Sequence, residues 1–243
     1  MNKIIAITSG KGGIGKSIFS IGLALAFKKA EKSVLMIDMD SNLRCLDLLL
    51  GVDEDVVFDI SDALSGKPLD ACVLSSPKYS GVDLIPASNS EEAISADDFG
   101  NFVEKVSALY DVVIIDFPAG ADFTLYNKLP RATEFICVCN PNPVSVRDTA
   151  MVGNLLRSIG RDGKLVINKY DYYCIGNSVF KTLDDFIDIS GFCLLGIIPL
   201  SLKFEIAFCG GYFPEKSKEA KAFDRVCKRI MGENVPIPKL SKI

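Results

Sequence analysis

Six side chains of this sequence have the types and spacing for chemistry on phosphate: Lys11, Lys16, Ser17, Asp38, Asp40 and Asp116. Residues 10–17 read Gly10, Lys11, Gly12, Gly13, Ile14, Gly15, Lys16, Ser17. Glycines this closely spaced let the backbone turn tightly and aim its N–H groups at an anion. A helix beginning near Gly15 adds the partial positive charge of its N-terminus. The G-x-x-x-x-G-K-S pattern assigns Lys16 to the β- and γ-phosphates and the Ser17 hydroxyl to Mg²⁺, with Ile18 next in the nucleotide-binding segment. Lys11 is a second cation inside the loop. Holding one nucleotide does not require it, so its expected use is to neutralise charge that develops during phosphoryl transfer.

The carboxylates stand where such a loop needs them. Asp38 and Asp40 follow the apolar run Val34, Leu35, Met36, Ile37, and Asp116 closes Val112, Val113, Ile114, Ile115. An aspartate ending an apolar strand is costly unless it is solvated, paired or near a cation. In a parallel sheet, ligands lie beyond the C-terminal ends of the strands. Asp116 therefore has the Walker B pattern, and with Asp38 it is a candidate holder of hydrated Mg²⁺. Phe117, Pro118, Ala119 and Gly120 read as a γ-phosphate-sensing loop. The chain has no histidine, so Asp40 is the candidate for orienting the attacking water.

The elements that must position these groups follow from periodicity. Apolar runs at 4–8, 34–38, 82–86, 112–116, 135–139, 165–168 and 193–198 are mostly continuous, the pattern of strands covered on both faces. Helical spacing recurs at 17–29, after Ser95 and Asp98 in a capping-box arrangement, and at 144–159, 179–189 and 216–231. Alternating strands and helices predict an α/β chain: a P-loop NTPase of one domain spanning 1–243, with a mostly parallel central sheet and helices on both faces. A length of 243 residues, 49% of them apolar and 24% charged, suits that domain and excludes global disorder.

A net charge of −4 argues against sequence-independent nucleic-acid binding by the domain. Eight scattered cysteines without a Cys-x-x-Cys pair read as reduced thiols of a cytoplasmic protein, with Cys137 and Cys139 in the core rather than half of a metal site. Neither a signal peptide nor a membrane-spanning run is expected, because Lys3 and the polar run 9–13 interrupt the N-terminal apolar stretch.

Residues 8–17 resemble the deviant Walker A motif of the MinD/ParA ATPases, and the likeness extends along nearly the whole chain. Residues 38–47, 84–88, 116–120 and 140–148 are similar to the MinD branch rather than to plasmid-type ParA proteins. The resemblance implies an Mg-ATP-dependent switch for division-site placement. ATP would join two copies face to face, Lys11 would reach the partner copy's phosphates, and a partner protein of the MinE/MinC kind would activate or inhibit. It also implies that Asp148 supports the dimer face, that Asn168 contacts adenine with Pro199 nearby, and that the protein touches the inner face of the membrane peripherally.

There are departures. Ser17-Ile18 replaces Thr-Thr, Cys45 replaces an asparagine, and Pro199-Leu200-Ser201 replaces a Pro-acid-Asp segment. Residues 236–243, with two prolines, make a poor interfacial helix where the family has an amphipathic anchor. A related positioning ATPase, such as a flagellar-number regulator, and a scaffold that binds nucleotide but barely hydrolyses it are the alternatives. Asn168, Lys169, Tyr170 and Asp171 also fit the N-K-x-D pattern of GTPases, which leaves GTP as a second nucleotide. Lys218, Lys221, Arg225, Lys228 and Arg229 form a basic side on the last helix. Glu215, Glu219 and Asp224 interleave with them, so this side is expected to be a solvated face, and no sequence-specific nucleic acid is expected.

Overall fold

The apolar runs become strands because each is buried on both faces. The computed structural model describes residues 2–89, 93–120, 122–174 and 180–240. The chain runs β1 (Lys3–Thr8), α1 (Lys16–Lys29), β2 (Val34–Asp38), α2 (Cys45–Leu50), α3 (Ile60–Leu64), α4 (Leu69–Cys72), β3 (Leu74–Ser75) and β4 (Val82–Ile85). It continues with α5 (Ala96–Ser107), β5 (Val112–Asp116), α6 (Phe123–Lys128), β6 (Glu134–Cys139) and α7 (Pro143–Ser158). It closes with β7 (Gly163–Tyr170), α8 (Asp184–Ser190), β8 (Cys193–Pro199), α9 (Leu202–Cys209) and α10 (Lys218–Ile230). One eight-stranded sheet has the order β3-β4-β2-β5-β1-β6-β7-β8. Every pairing is parallel except β3 with β4. All seven expected strands are present. The two-residue antiparallel strand β3 was not foreseen, since so short a run carries no periodicity.

Alternation along the strands builds two cores. Ile5 and Ile7 of β1, Ile114 of β5 and Ile136 of β6 face α1 and α10. Ile4 and Ala6, Val113 and Ile115, and Phe135, Cys137 and Cys139 face α5, α7 and α8 on the other side. Cys137 and Cys139 thus share one face by the two-residue period and pack as core. Burial pushes the Cys137 thiol up to about 12. Cys193, by contrast, sits exposed where β8 begins.

α1 is buried on almost every side, because α10 covers what the sheet does not. Gly22 lies so near the Phe223 ring that a Cβ there would overlap it. Phe19 and Phe223 meet at 5.7 Å. α5 starts where expected, with the Ser95 hydroxyl accepting from the Asp98 N–H. A full capping box instead opens α3, between Asp59 and Asp62. The helix expected over 179–189 begins at Asp184, and residue 179 lies outside the described residues.

The basic side of α10 is not uniformly solvated, as it was expected to be. Arg229 donates through Nε to the Val235 carbonyl (2.6 Å) and through Nη1 to the Leu195 carbonyl (2.7 Å). These bonds hold the segment after the helix across β8, where Ile237 and Leu240 pack on the core. Among the described residues, no helix is long and apolar enough to cross a membrane.

Candidate functional site

The loop between β1 and α1 leaves the helix start open for a ligand. Gly15 occupies the N-cap position with φ 85°, a left-handed conformation that costs little only without a Cβ. No side chain caps this end and the first turn has no acidic residue. Its N–H groups and partial positive charge are therefore uncommitted. Gly10 serves a different purpose. A Cβ there would overlap the backbone of Asp148, so the missing side chain is what lets α7 lie against the loop. Gly12 and Gly13 are exposed on the rim and Ile14 is buried beneath them. On the opposite side, Asn168 donates from Nδ2 to the Ile14 carbonyl at 2.8 Å. The Asn140 amide lies 3.2 Å from the same oxygen and 3.3 Å from the Asn168 carbonyl, and with its nitrogen turned toward them it donates to both.

Beneath the loop is a buried charge cluster. Lys16 Nζ lies 3.3 Å from Asp116 Oδ1, with the two side chains 8% and 0% exposed. The Ser20 hydroxyl, one turn after Lys16, donates to that oxygen at 2.9 Å. The other oxygen, Asp116 Oδ2, is buried without a hydrogen-bond partner among the described residues. The β2–β5 register sets Asp38 directly beside Asp116. Burial, reinforced by the Asp116 charge, pushes the Asp38 carboxyl up to about 7, against N–H donors from Asp40 (2.9 Å) and Leu46 (3.3 Å).

Two buried carboxylates side by side, with Lys16 against Asp116, make a site short of positive charge among the described residues. A divalent cation fits it: the orphan Asp116 oxygen, the Asp38 carboxyl and the Ser17 hydroxyl are all hard oxygen donors. Among the described residues, no group of three or more His, Cys, Asp or Glu side chains forms a metal cage. Such a sparse set suits Mg²⁺, which keeps waters and takes the rest of its ligands from phosphates.

Asp40 is half-buried at the mouth, its Oδ1 accepting from the Leu43 N–H at 3.3 Å. Lys11 is exposed on the rim, its carbonyl tied to the Ser9 hydroxyl at 3.1 Å. A second cleft adjoins the loop, lined by Gly15, Ile18, Asn168, Pro199, Leu200 and Phe204. Lys169 spans it to Glu205, Nζ to Oε1 at 2.7 Å. Asp171 accepts from the Tyr173 N–H at 3.0 Å.

The structure thus brings Lys16, Asp38, Asp40 and Asp116 together, with Ser17 next to Lys16 at the start of α1, places Asn168, Ile18 and Pro199 in the adjoining cleft, and leaves Lys11 exposed. Sequence reasoning gave no role to Ser20, Asn140 or Glu205. The four-residue spacing of Lys16 and Ser20 on one helix was a usable signal. The other two are brought in only by the tertiary fold.

Phosphate loop, strand-end carboxylates and parallel sheet together define a P-loop nucleoside triphosphatase. A family model described as an AAA domain matches residues 2–169. The septum site-determining protein MinD of Synechocystis is 33% identical over 97% of this chain and 92% of its own length. That of Bacillus subtilis is 28% identical over 100% and 94%. A chain in the structure of the MinC:MinD cell division complex from Aquifex aeolicus superposes with a TM-score of 0.87 at 29% identity, covering 98% of each chain. MinD of Pyrococcus horikoshii, solved with Mg-ADP, superposes at 0.80 with 26% identity over 97% and 100%. The chain belongs to the MinD/ParA family of ATPases, on its septum site-determining MinD branch. Its activity is ATP hydrolysis in division-site placement.

Proposed function

We propose that residues 1–243 act as one Mg-ATP-driven switch that pairs with a second copy of itself. The carrying observation is the division of labour between two lysines of one loop: Lys16 is buried over Asp116, whereas Lys11 is exposed on the rim. In this reading, Lys16 and the loop amides of residues 10–17 hold the β- and γ-phosphates. Ser17, Asp38 and Asp116 would hold Mg²⁺, which would supply positive charge against the phosphates as charge develops. Asp40 orients water toward the γ-phosphate, held at the mouth by its own turn. Asn168 and Pro199 flank the base, with Ile18 beneath it. Lys11, exposed on the rim, serves the phosphates of the facing copy, with Asp148 supporting that face.

The Mg-ADP bound to the Pyrococcus relative supports the ligand. The Aquifex complex supports a partner of the MinC kind, which would read the paired state. A cytoplasmic protein with peripheral contact at the inner membrane face fits the same reading. Size measurement with ATP, ADP and no nucleotide tests it. The Asp40→Ala variant, blocked in hydrolysis, is expected to dimerise with ATP alone. Adding Lys11→Ala is expected to abolish the dimer. An Asp40→Ala chain that stays monomeric in saturating Mg-ATP would overturn the proposal. Asn168, Lys169 and Asp171 keep GTP as a second reading, but Asp171 is spent on a local turn. ATP is therefore expected to bind more tightly, and competition between the two nucleotides decides.

A further inference from the structure

The loop after Asp116 reaches the phosphate loop through a buried knot of polar groups. Gly120 forms an antiparallel bridge with Ser9, its N–H donating to the Ser9 carbonyl at 2.8 Å. The Gly120 carbonyl points the other way, into a triangle with two hydroxyls. Tyr126 Oη and Thr8 Oγ1 are 2.7 Å apart, and each lies 3.4 Å from the Gly120 carbonyl. Thr8 is fully buried and Tyr126 is 1% exposed. The Tyr126 ring is clamped edge-on between Phe117 at 4.9 Å and Phe135 at 5.3 Å. A cavity of about 280 Å³ lies beside residues 117–120, lined also by Asp122, Phe123 and Tyr126 itself.

We propose that Tyr126 is a positioning residue for the hydrolytic site. Its hydroxyl ties the Gly120 carbonyl to Thr8 and so sets the height of residues 117–120 over the phosphate loop. The argument is one of degrees of freedom. The bridge to Ser9 fixes one edge of the loop, Phe117 is buried at its start, and the cavity lies beside the rest. The Tyr126 hydroxyl supplies a polar contact from α6, on a ring too tightly clamped to follow the loop outward. Hydrogen bonds in so dry a place are short of competing water and hold geometry well. The hydroxyl is buried against Thr8 and Gly120, so its effect is on the loop expected to face the γ-phosphate. ADP, which lacks that phosphate, should be held as before.

The inference rests on the ATPase reading, and the experiment separates the two. Tyr126→Phe keeps the ring and removes the oxygen. Turnover, together with affinity for a fluorescent ATP analogue and its ADP counterpart, is measured for wild type, Tyr126→Phe, Thr8→Val and the double variant. Tyr110→Phe, which loses a tyrosine–carboxylate bond to Asp83 at a remote sheet edge, is the control expected to match wild type. Tyr126→Phe should lower kcat about five- to tenfold, the range for one buried hydrogen bond. Its ADP affinity should stay within about twofold of wild type, and its preference for ATP over ADP should shrink. The double variant should lose no more than the worse single, because both substitutions break one knot. Equal kcat in wild type and Tyr126→Phe overturns the positioning role, as does a parallel loss of ATP and ADP affinity. A wild-type chain without turnover would instead sink the ATPase reading.

Discussion

At the residue scale the site is an unbalanced set of charges. Asp38 and Asp116 are neighbours in register and buried, yet among the described residues a single ammonium group, that of Lys16, faces Asp116. Removing one partner of a buried pair leaves the other charge without compensation. Lys16→Ala without nucleotide is therefore expected to cost about 3 kcal/mol of stability, within the usual range for breaking such pairs, and to abolish phosphate binding. Urea denaturation of the nucleotide-free variant checks the first effect and nucleotide titration the second. If stability is unchanged, the Ser20 hydroxyl alone satisfies Asp116. Lys11, exposed on the rim, should behave differently: Lys11→Ala should leave stability within about 0.5 kcal/mol, as for an ordinary surface change.

At the element scale, what matters is how closely β1, α7 and the phosphate loop approach one another. Gly10→Ala would drive a methyl group into the backbone at Asp148, which cannot step aside as a flexible side chain would. The expected cost is about 1–3 kcal/mol of overpacking, with a loop displaced enough to lose nucleotide. A thermal melt and a binding titration measure both, and an unshifted melt would mean that α7 slides freely.

The other end of the sheet offers a test by pH. Glu134 of β6 accepts from Lys3 at 2.5 Å and Lys164 at 3.0 Å. Burial alone would raise its carboxyl, but hydrogen bonds from the two lysines outweigh this and hold it below the ordinary 4.5. An acid with a lowered folded value contributes stability above the unfolded value and loses it as pH falls through the folded one. Wild type should therefore exceed Glu134→Gln by about 0.5–1 kcal/mol near pH 7, given the partial exposure of the lysines. That margin should shrink below about pH 4.5. A margin that grows in acid would reverse the assignment.

At the scale of the whole molecule, one sheet separates two cores. Ile21 lies in the core under α1 and α10, and Ile167 in the core under α5, α7 and α8. Ile21→Val and Ile167→Val should each cost about 0.5–1.5 kcal/mol. Sharing no partners, they should add to within about 0.5 kcal/mol in the double variant. Urea midpoints at a common slope read this directly, and a large coupling term would show the sheet transmitting strain between its faces.

Much of this molecule was legible in the chain itself. Continuous apolar runs identify strands buried on both sides, because no solvent-facing position needs a polar residue. Glycine spacing with Lys16 and Ser17 identifies the phosphate loop, because few other sequences can bare so many N–H groups at a helix start. Aspartates closing two of the strands identify the acidic side of the site, because an apolar run cannot end on a charge without a reason. All of these are local signals. The tertiary structure alone decided which strands are neighbours, and so that Asp38 stands beside Asp116 in register rather than merely sharing a sheet with it. It also decided that Arg229 leaves the basic face of α10 to hold residues 235–240, that Asn140 and Asn168 meet on one carbonyl of the loop, and that Tyr126 reaches Thr8 from more than a hundred residues away. Such contacts follow from strand order and helix placement, which emerge from the packing of the whole chain and leave no period or motif in its sequence.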